Sequence, residues 1–240
     1  MKSILKRYKA YRQRKRQKKA TPYEYIEWLR YANAGMLVEG NLYCLEYAIK
    51  NLPSNKPVIE IGSFCGLSTN VIAFYLEKFS KKNLIVTCDK WMFENVENID
   101  ANLDGTDIKH RAYKTFVKET YMRNVSFFAK NNLPYTIEVL SDEFFEMWAN
   151  HARVKDVFGR DIQLGGQVSF AYIDGNHSYE FVKKDFINTD KNLEIGGFIL
   201  FDDSSDFSAW EVKRVVKEVI QTGRYTIIIK NPNYLFKKIK

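Results

Sequence analysis

Pro57-Val58-Ile59-Glu60-Ile61-Gly62-Ser63-Phe64-Cys65-Gly66-Leu67-Ser68-Thr69 changes character twice within one short stretch. Val58–Ile61 reads as a buried strand, Gly62–Gly66 as a tight turn, and Leu67 onward as the start of a helix. Such a backbone brings a strand end, a turn and a helix N-terminus against one small ligand. The helix N-terminus favours a negatively charged group, and the glycines remove side chains that would keep a ligand away from the backbone. A nucleotide-like cofactor is the expected occupant.

Beyond this turn the chain alternates strands with amphipathic helices. Strands are predicted at Val58–Ile61, Leu84–Cys88, Tyr135–Leu140, Ser169–Ile173 and Phe198–Phe201. Helices are predicted at Leu67–Phe79, His110–Asn131, Asp142–Asn150, Tyr179–Asn192 and Ser208–Gln221. Continuous apolar strands between amphipathic helices argue for a parallel sheet covered on both faces. Tyr225–Lys230 and Tyr234–Ile239, joined by Asn231-Pro232-Asn233, read as an antiparallel hairpin.

Ahead of the sheet, Thr21-Pro22-Tyr23-Glu24 predicts a capping box: a Thr cap, Pro at the first helical position and Glu at the third. The helix it opens reaches about Tyr31, and a second covers Asn41–Asn51. Three segments follow: a basic arm over 1–20, N-terminal lid or flanking helices over 21–55, and the main domain over 56–240. The arm holds ten Lys and Arg and no acid, leaving 27 basic against 29 acidic residues in the body. The overall charge of +8 is thus a property of the arm. It suits an anionic partner such as nucleic acid or lipid, or a solvated extension with no ligand. Glu94–Asp107 is an acidic, loop-like segment, read as a solvated insertion.

No apolar run approaches the ~20 residues that span a bilayer, and the N-terminus is too basic for a secretory signal. Cys44, Cys65 and Cys88 show no metal spacing, and reduced thiols in a cytoplasmic protein are the expectation.

The turn admits a dinucleotide or S-adenosylmethionine. A dinucleotide fingerprint needs G-x-G-x-x-G, and here Phe64 stands where the middle glycine belongs. S-adenosylmethionine, which carries no phosphate, needs no such close approach. Its methionine part is expected over Gly62, Ser63, Phe64, Gly66 and Ser68, with Glu60 meeting the ammonium directly or through water. Asp89 closes the next strand, where a carboxylate can accept both ribose hydroxyls, with Lys90 and Trp91 beside it. Ser141 or Asp142 follows the third strand, at the expected adenine edge.

With these residues in place, Glu60–Ser68 resembles the first motif of class I methyltransferases, and within them the catechol O-methyltransferase branch. The resemblance covers about 36–240. It implies a Rossmann-like, doubly wound α/β fold with a seven-stranded, mostly parallel sheet, an antiparallel last strand and helices on both faces.

Two later segments carry acids. Phe170-Ala171-Tyr172-Ile173-Asp174-Gly175-Asn176-His177 places Asp174 at the end of the fourth strand, and Phe198-Ile199-Leu200-Phe201-Asp202-Asp203 places two more at the end of the fifth. Neighbouring strand ends would bring Asp174, Asp202 and Asp203 together, and three carboxylates in one space repel unless a cation neutralises them. Magnesium, or manganese or calcium in its stead, suits such hard oxygen donors. The alternative is that one of the pair caps the turn toward Ser204 or Ser205. The metal-dependent O-methyltransferases that the chain is similar to use acids at both strand ends; the Asp-Asp pair looks more like the bacterial branch acting on sugar or antibiotic hydroxyls. His177 stands where the catechol branch has its lysine base. An imidazole there can take a proton from an acceptor hydroxyl.

The leading expectation is a magnesium-dependent O-methyltransferase using S-adenosylmethionine on a hydroxyl of a small molecule, sugar or glycan, with Asp174 and His177 in catalysis. An RNA methyltransferase guided by the arm, and a non-catalytic cofactor-binding or scaffold module, stand as alternatives. A homodimer is plausible for the fold. Trp28, Trp91, Phe93 and Tyr113 are candidate pocket walls or core residues.

Overall fold

The computed structural model describes residues 17–92, 96 and 98–240. Most of the basic arm (1–16), together with Phe93, Glu94 and Glu97, lies outside the described residues. In chain order the elements are α1 (Glu24–Ala32), α2 (Glu39–Lys50), β1 (Val58–Ile61), α3 (Leu67–Lys78), β2 (Ile85–Cys88) and α4 (His110–Phe128). Then come β3 (Tyr135–Ile137), α5 (Ser141–Ala149), β4 (Arg153–Lys155), β5 (Asp161–Gln163) and β6 (Val168–Ile173). The chain closes with α6 (Tyr179–Asn192), β7 (Leu193–Phe201), α7 (Val212–Gln221), β8 (Tyr225–Lys230) and β9 (Tyr234–Lys238).

Seven strands form one sheet in the order β3-β2-β1-β6-β7-β9-β8. Its first five strands are parallel, and β9 runs antiparallel to both β7 and β8. Alternation along each strand sends side chains to two separate cores. Val58, Phe170, Tyr172, Phe198 and Leu200 pack with Leu29, Leu45, Val71 and Tyr121 of α1–α4. Ile59, Ile61, Ala171, Ile173, Ile199 and Phe201 pack with Phe144, Trp148, Phe186 and Val216 of α5–α7. Both faces are therefore covered by helices, as the unbroken apolar strands require.

Register sets the site. Ile61 pairs with Cys88 and Ile173, and Ile173 pairs with Phe201. Each strand thus ends level with its neighbour, and the next residues (Gly62, Asp89, Asp174 and Asp202) fall along one edge. The ladder continues one step further to hold them: Gly62 N donates to Cys88 O (3.0 Å), Asp174 N to Ile61 O (2.9 Å) and Asp202 N to Ile173 O (3.0 Å).

Three local expectations need correction. The capping box at Thr21 does not form: α1 begins at Glu24, and Thr21 donates its hydroxyl to Glu46 of α2 (2.5 Å). A tertiary carboxylate outcompetes the local one. The third strand stops at Ile137, and the small antiparallel pair β4–β5 escaped prediction because its strands are three residues long and largely exposed. No helix among the described residues is long and apolar enough to cross a membrane.

Glu60 is the one charged residue of β1 and is fully buried, facing α3. Thr69 donates to its Oε2 at 2.5 Å, while Oε1 has no partner. Burial pushes its carboxyl up to about 7, against the pull of the Ser68, Thr69 and Thr87 hydroxyls. The fold therefore favours the protonated form. That contribution is fully present below the ordinary carboxylate pKa and is lost as pH rises through about 7. Glu60→Gln, which carries no such proton, is expected to gain on the wild type by about 3 kcal/mol between pH 4.5 and 8. Parallel urea melts of both proteins across that range measure it; a constant difference would refute the buried protonated carboxyl.

Candidate active site

Two glycines shape the turn between β1 and α3 for different reasons. Gly62 has φ of +82°, and a Cβ there would stand 2.2 Å from the carbonyl oxygen of Asp174. Only glycine lets the turn touch the end of β6. Gly66 has φ of +89°, and a Cβ there would meet Val125 and Tyr121 of α4 at 3.0 and 3.1 Å. Its lack of a side chain serves helix packing, and Gly66 does not line the cleft.

Asp89 braces the turn from β2. Its Oδ2 accepts Ser63 N (2.8 Å), Phe64 N (2.9 Å) and the Ser63 hydroxyl (3.3 Å), and its Oδ1 accepts Trp91 N (2.6 Å). Burial raises its pKa in spite of these donors. Trp91 is buried and donates its indole N–H to Phe64 O at 2.9 Å. Phe64, Trp91 and Asp203 all hold left-handed backbone, with φ of +44°, +49° and +47°. All three line the same cleft, which is where strained backbone commonly gathers.

The cleft has a volume of about 820 Å³ and runs along the sheet edge. Gly62, Ser63, Phe64, Ser68, Asp89, Lys90, Trp91, Ser141, Asp142, Asp174, His177, Asp202 and Asp203 all line it. Glu60 does not: its carboxyl is buried against α3, where Thr69 bonds it. Of the candidate walls, Trp91 lines the cleft, Trp28 is 65% exposed on α1, and Tyr113 packs against the first core.

At one end lie the acids. Burial, and then the charge of Asp202, push the Asp174 carboxyl well above the ordinary range. Asp202 is held by two amides from opposite ends of the chain: Asn41 Nδ2 of α2 and Asn233 Nδ2 of the β8–β9 turn both donate to its Oδ1 at 2.6 Å. Asn233 also donates to Asn41 Oδ1 (3.0 Å), and Asn41 to the Tyr172 hydroxyl (3.2 Å). Asp202 therefore keeps Oδ2 for other partners, and the Ser204 hydroxyl caps Phe201 O instead of either acid. His177 Nε2 lies 3.7 Å from Asp174 Oδ1 and 3.5 Å from Asp203 Oδ2, and its ring packs on Trp210 at 4.9 Å.

The structure thus brings Asp174 and Asp202 together, with Asp203 turned toward His177. Among the described residues no group of three acidic, histidine or cysteine side chains is assembled to hold a metal ion. The expected three-acid cage is therefore not preformed. What does fit a hard cation is the pair Asp174 and Asp202, whose mutual repulsion such an ion would relieve.

Several site residues escaped sequence reading. Asn41, Asn233, Trp210 and Asp185 lie outside the motifs, and no spacing marks them. Asn33 is another: it donates to Cys65 O (2.9 Å) and accepts from Asn70 Nδ2 (2.7 Å), which moors the cleft-lining loop at 34–38 to the turn. The loop between the two N-terminal helices is part of the site's wall.

Comparison with known proteins agrees with this architecture. The chain resembles the O-methyltransferase from Bacillus cereus solved in complex with SAH (13% identity, 92% of each chain covered, TM-score 0.58). It is also similar to the O-methyltransferase NovP (14% identity, 87% of this chain and 83% of that one, TM-score 0.55). A third is TomG from Streptomyces achromogenes, solved with SAM (12% identity, 92% of each chain, TM-score 0.54). At these identities the likeness is one of fold. No curated protein matches the sequence. The model of the methyltransferase domain family matches residues 59–204, from the first strand through both acidic strand ends. With the turn and the strand-end acids inside that match, which spans more than half of the chain, the chain belongs to the methyltransferase domain family.

Proposed function

We propose that this protein is an S-adenosylmethionine-dependent O-methyltransferase acting on a hydroxyl of a small molecule or sugar. The observation that carries the reading is the contact between Gly62 and Asp174, which sets the cofactor turn directly against the acidic end of the cleft. The solved relatives of this fold include enzymes whose names record O-methyl transfer, two of them crystallised with SAH or SAM.

The chain's own residues suit the task in a definite order. The turn and Asp89 form the cofactor side of the cleft, and Asp174 and Asp202 adjoin the turn through Gly62. S-adenosylmethionine, when bound, supplies an electrophilic methyl group. Asp174 lies beside the turn, within reach of His177, where it is placed to orient the acceptor hydroxyl. His177, close to both Asp174 and Asp203, is placed to take that hydroxyl's proton or to orient the acceptor. Trp210 and the 34–38 loop limit where the acceptor can lie, and transfer depends on such in-line positioning more than on covalent help. Asp174 and Asp202, with Asp203 beside them, would hold a divalent cation of the magnesium type, which would lower the hydroxyl's pKa. Cys44, Cys65 and Cys88 are free and buried, which supports a reducing, cytoplasmic setting.

Calorimetry with S-adenosylmethionine is expected to show binding; none at near-millimolar ligand would overturn the reading. Asp174→Asn is expected to keep cofactor affinity while kcat falls about 100-fold or more, and equal turnover would remove Asp174 from the chemistry. If the acidic pair holds a cation, EDTA abolishes turnover and magnesium restores it; indifference to both places the enzyme in the metal-independent group. Asn41→Ala removes a charge-assisted donor from buried Asp202 and is expected to cost about 1.5–3 kcal/mol in urea melts. An unchanged midpoint would show the clamp to be dispensable.

A further inference from the structure

The basic run at the start of the chain joins the body at a definite place. Residues 1–16 hold eight Lys and Arg and no acid, and Lys18 and Lys19 carry the run into the described chain. The backbone N–H of Lys18 donates to Asn231 Oδ1 (2.8 Å), and its carbonyl accepts from Asn231 Nδ2 (2.7 Å), which also donates to Gly40 O (3.2 Å). The Lys18 ammonium lies 5.5 Å over the Tyr43 ring. The arm is therefore rooted at the first turn of α2.

The chain beside that root is apolar and exposed. Arg30 of α1 pairs with Glu39 of α2 (2.8 Å), which brings the last turn of α1 to the same place. Tyr31 is 85% exposed there, and Trp28, also exposed, has its ring 6.1 Å from that of Tyr31. Met36, in the loop that follows, is 82% exposed. Ile26 and Leu29 are the residues that α1 buries, so core packing accounts for none of these three. Single exposed apolar residues are ordinary, but three large ones within nine residues, next to a polybasic run, mark a contact surface. Met36 and Val38 also line the cleft.

The partner must satisfy both features. A polyanion such as RNA calls for positive charge that continues past the arm. Here α1 exposes Glu24 and Glu27, and its one cation, Arg30, is already paired. A lipid surface uses the two features separately. Anionic headgroups attract the Lys and Arg side chains, while Trp, Tyr and Met enter the headgroup boundary with their apolar parts. Neither signal is strong alone, because salt screens the charges and a few side chains bury little area; together they hold a protein at the interface.

We propose that the arm and the Trp28–Met36 segment form a docking surface for an anionic bilayer, which sets the Met36–Val38 wall of the cleft at the lipid–water boundary. The docking does not depend on the chemistry assigned to the cleft.

The test is sedimentation of the full chain with vesicles of phosphatidylcholine, alone or mixed with phosphatidylserine. Binding to the mixed vesicles is expected to be at least about tenfold tighter than to the neutral ones, by a margin that shrinks as salt rises. Deleting residues 1–16 leaves Lys18 and its contacts in place and is expected to remove the margin. Trp28→Ala combined with Tyr31→Ala is expected to weaken binding to the mixed vesicles about fivefold or more with the arm intact. Both side chains are exposed, and an unchanged urea midpoint shows that this variant is folded. Equal binding to both vesicles, binding to neither, or undiminished binding by the folded alanine variant overturns the proposal. A single-stranded RNA bound more tightly than the mixed vesicles, with an affinity that the alanine variant keeps, overturns it in favour of nucleic acid.

Discussion

Two carboxyls set side by side on a cleft wall repel each other, and a fold that keeps them there must supply fixed partners. Here the partners come from opposite ends of the chain. Asn41 on the second helix and Asn233 in the last turn both donate to one oxygen of Asp202, and each also touches the other. The arrangement holds Asp202 in a single orientation, and Asp174 beside it carries the raised pKa. The same turn secures the start of the described chain: Asn231 exchanges hydrogen bonds with both backbone groups of Lys18 and also donates to Gly40 O. N-terminal segment, C-terminal hairpin and acidic pair are thereby one structural unit. Buried polar networks of this kind rigidify a site when their groups are satisfied.

The cofactor turn obeys a second constraint, close approach. Gly62 lets the turn reach the backbone of Asp174, and Gly66 lets α4 pack on the start of α3. Asp89 then ties the turn to β2 through the backbone N–H groups of Ser63, Phe64 and Trp91. A residue assigned to a ligand is thus also a brace for the loop that would hold it.

Much of the fold was legible in the chain. Glu60–Ser68 announced the strand, turn and helix; the unbroken apolar runs announced a sheet covered on both faces; and Asn231-Pro232-Asn233 announced the closing hairpin. Errors came where signals were short or contested. Thr21 had the sequence of a helix cap but bonds to Glu46, because a partner from another element was available. β4 and β5 were too short and too exposed to show a period. Within the site, residues at strand ends were readable, since strand ends in a parallel sheet converge by topology. Glu60 belongs to the strand itself, not to the residues beyond it, so its side chain enters the core.

The sequence by itself determined the order of strands and helices, the left-handed turn that only glycine accepts at Gly62 and Gly66, and the placing of acids just past strand ends. These follow from local sterics and from periodicity, which act between residues near in the chain. Only the tertiary structure decided which of those acids share a space and which amides restrain them. Asn41 and Asn233 acquire their roles from each other, 192 residues apart in the chain, and from Asp202. Hydrogen bonding and desolvation act through space, and nothing in the local pattern around these residues records them.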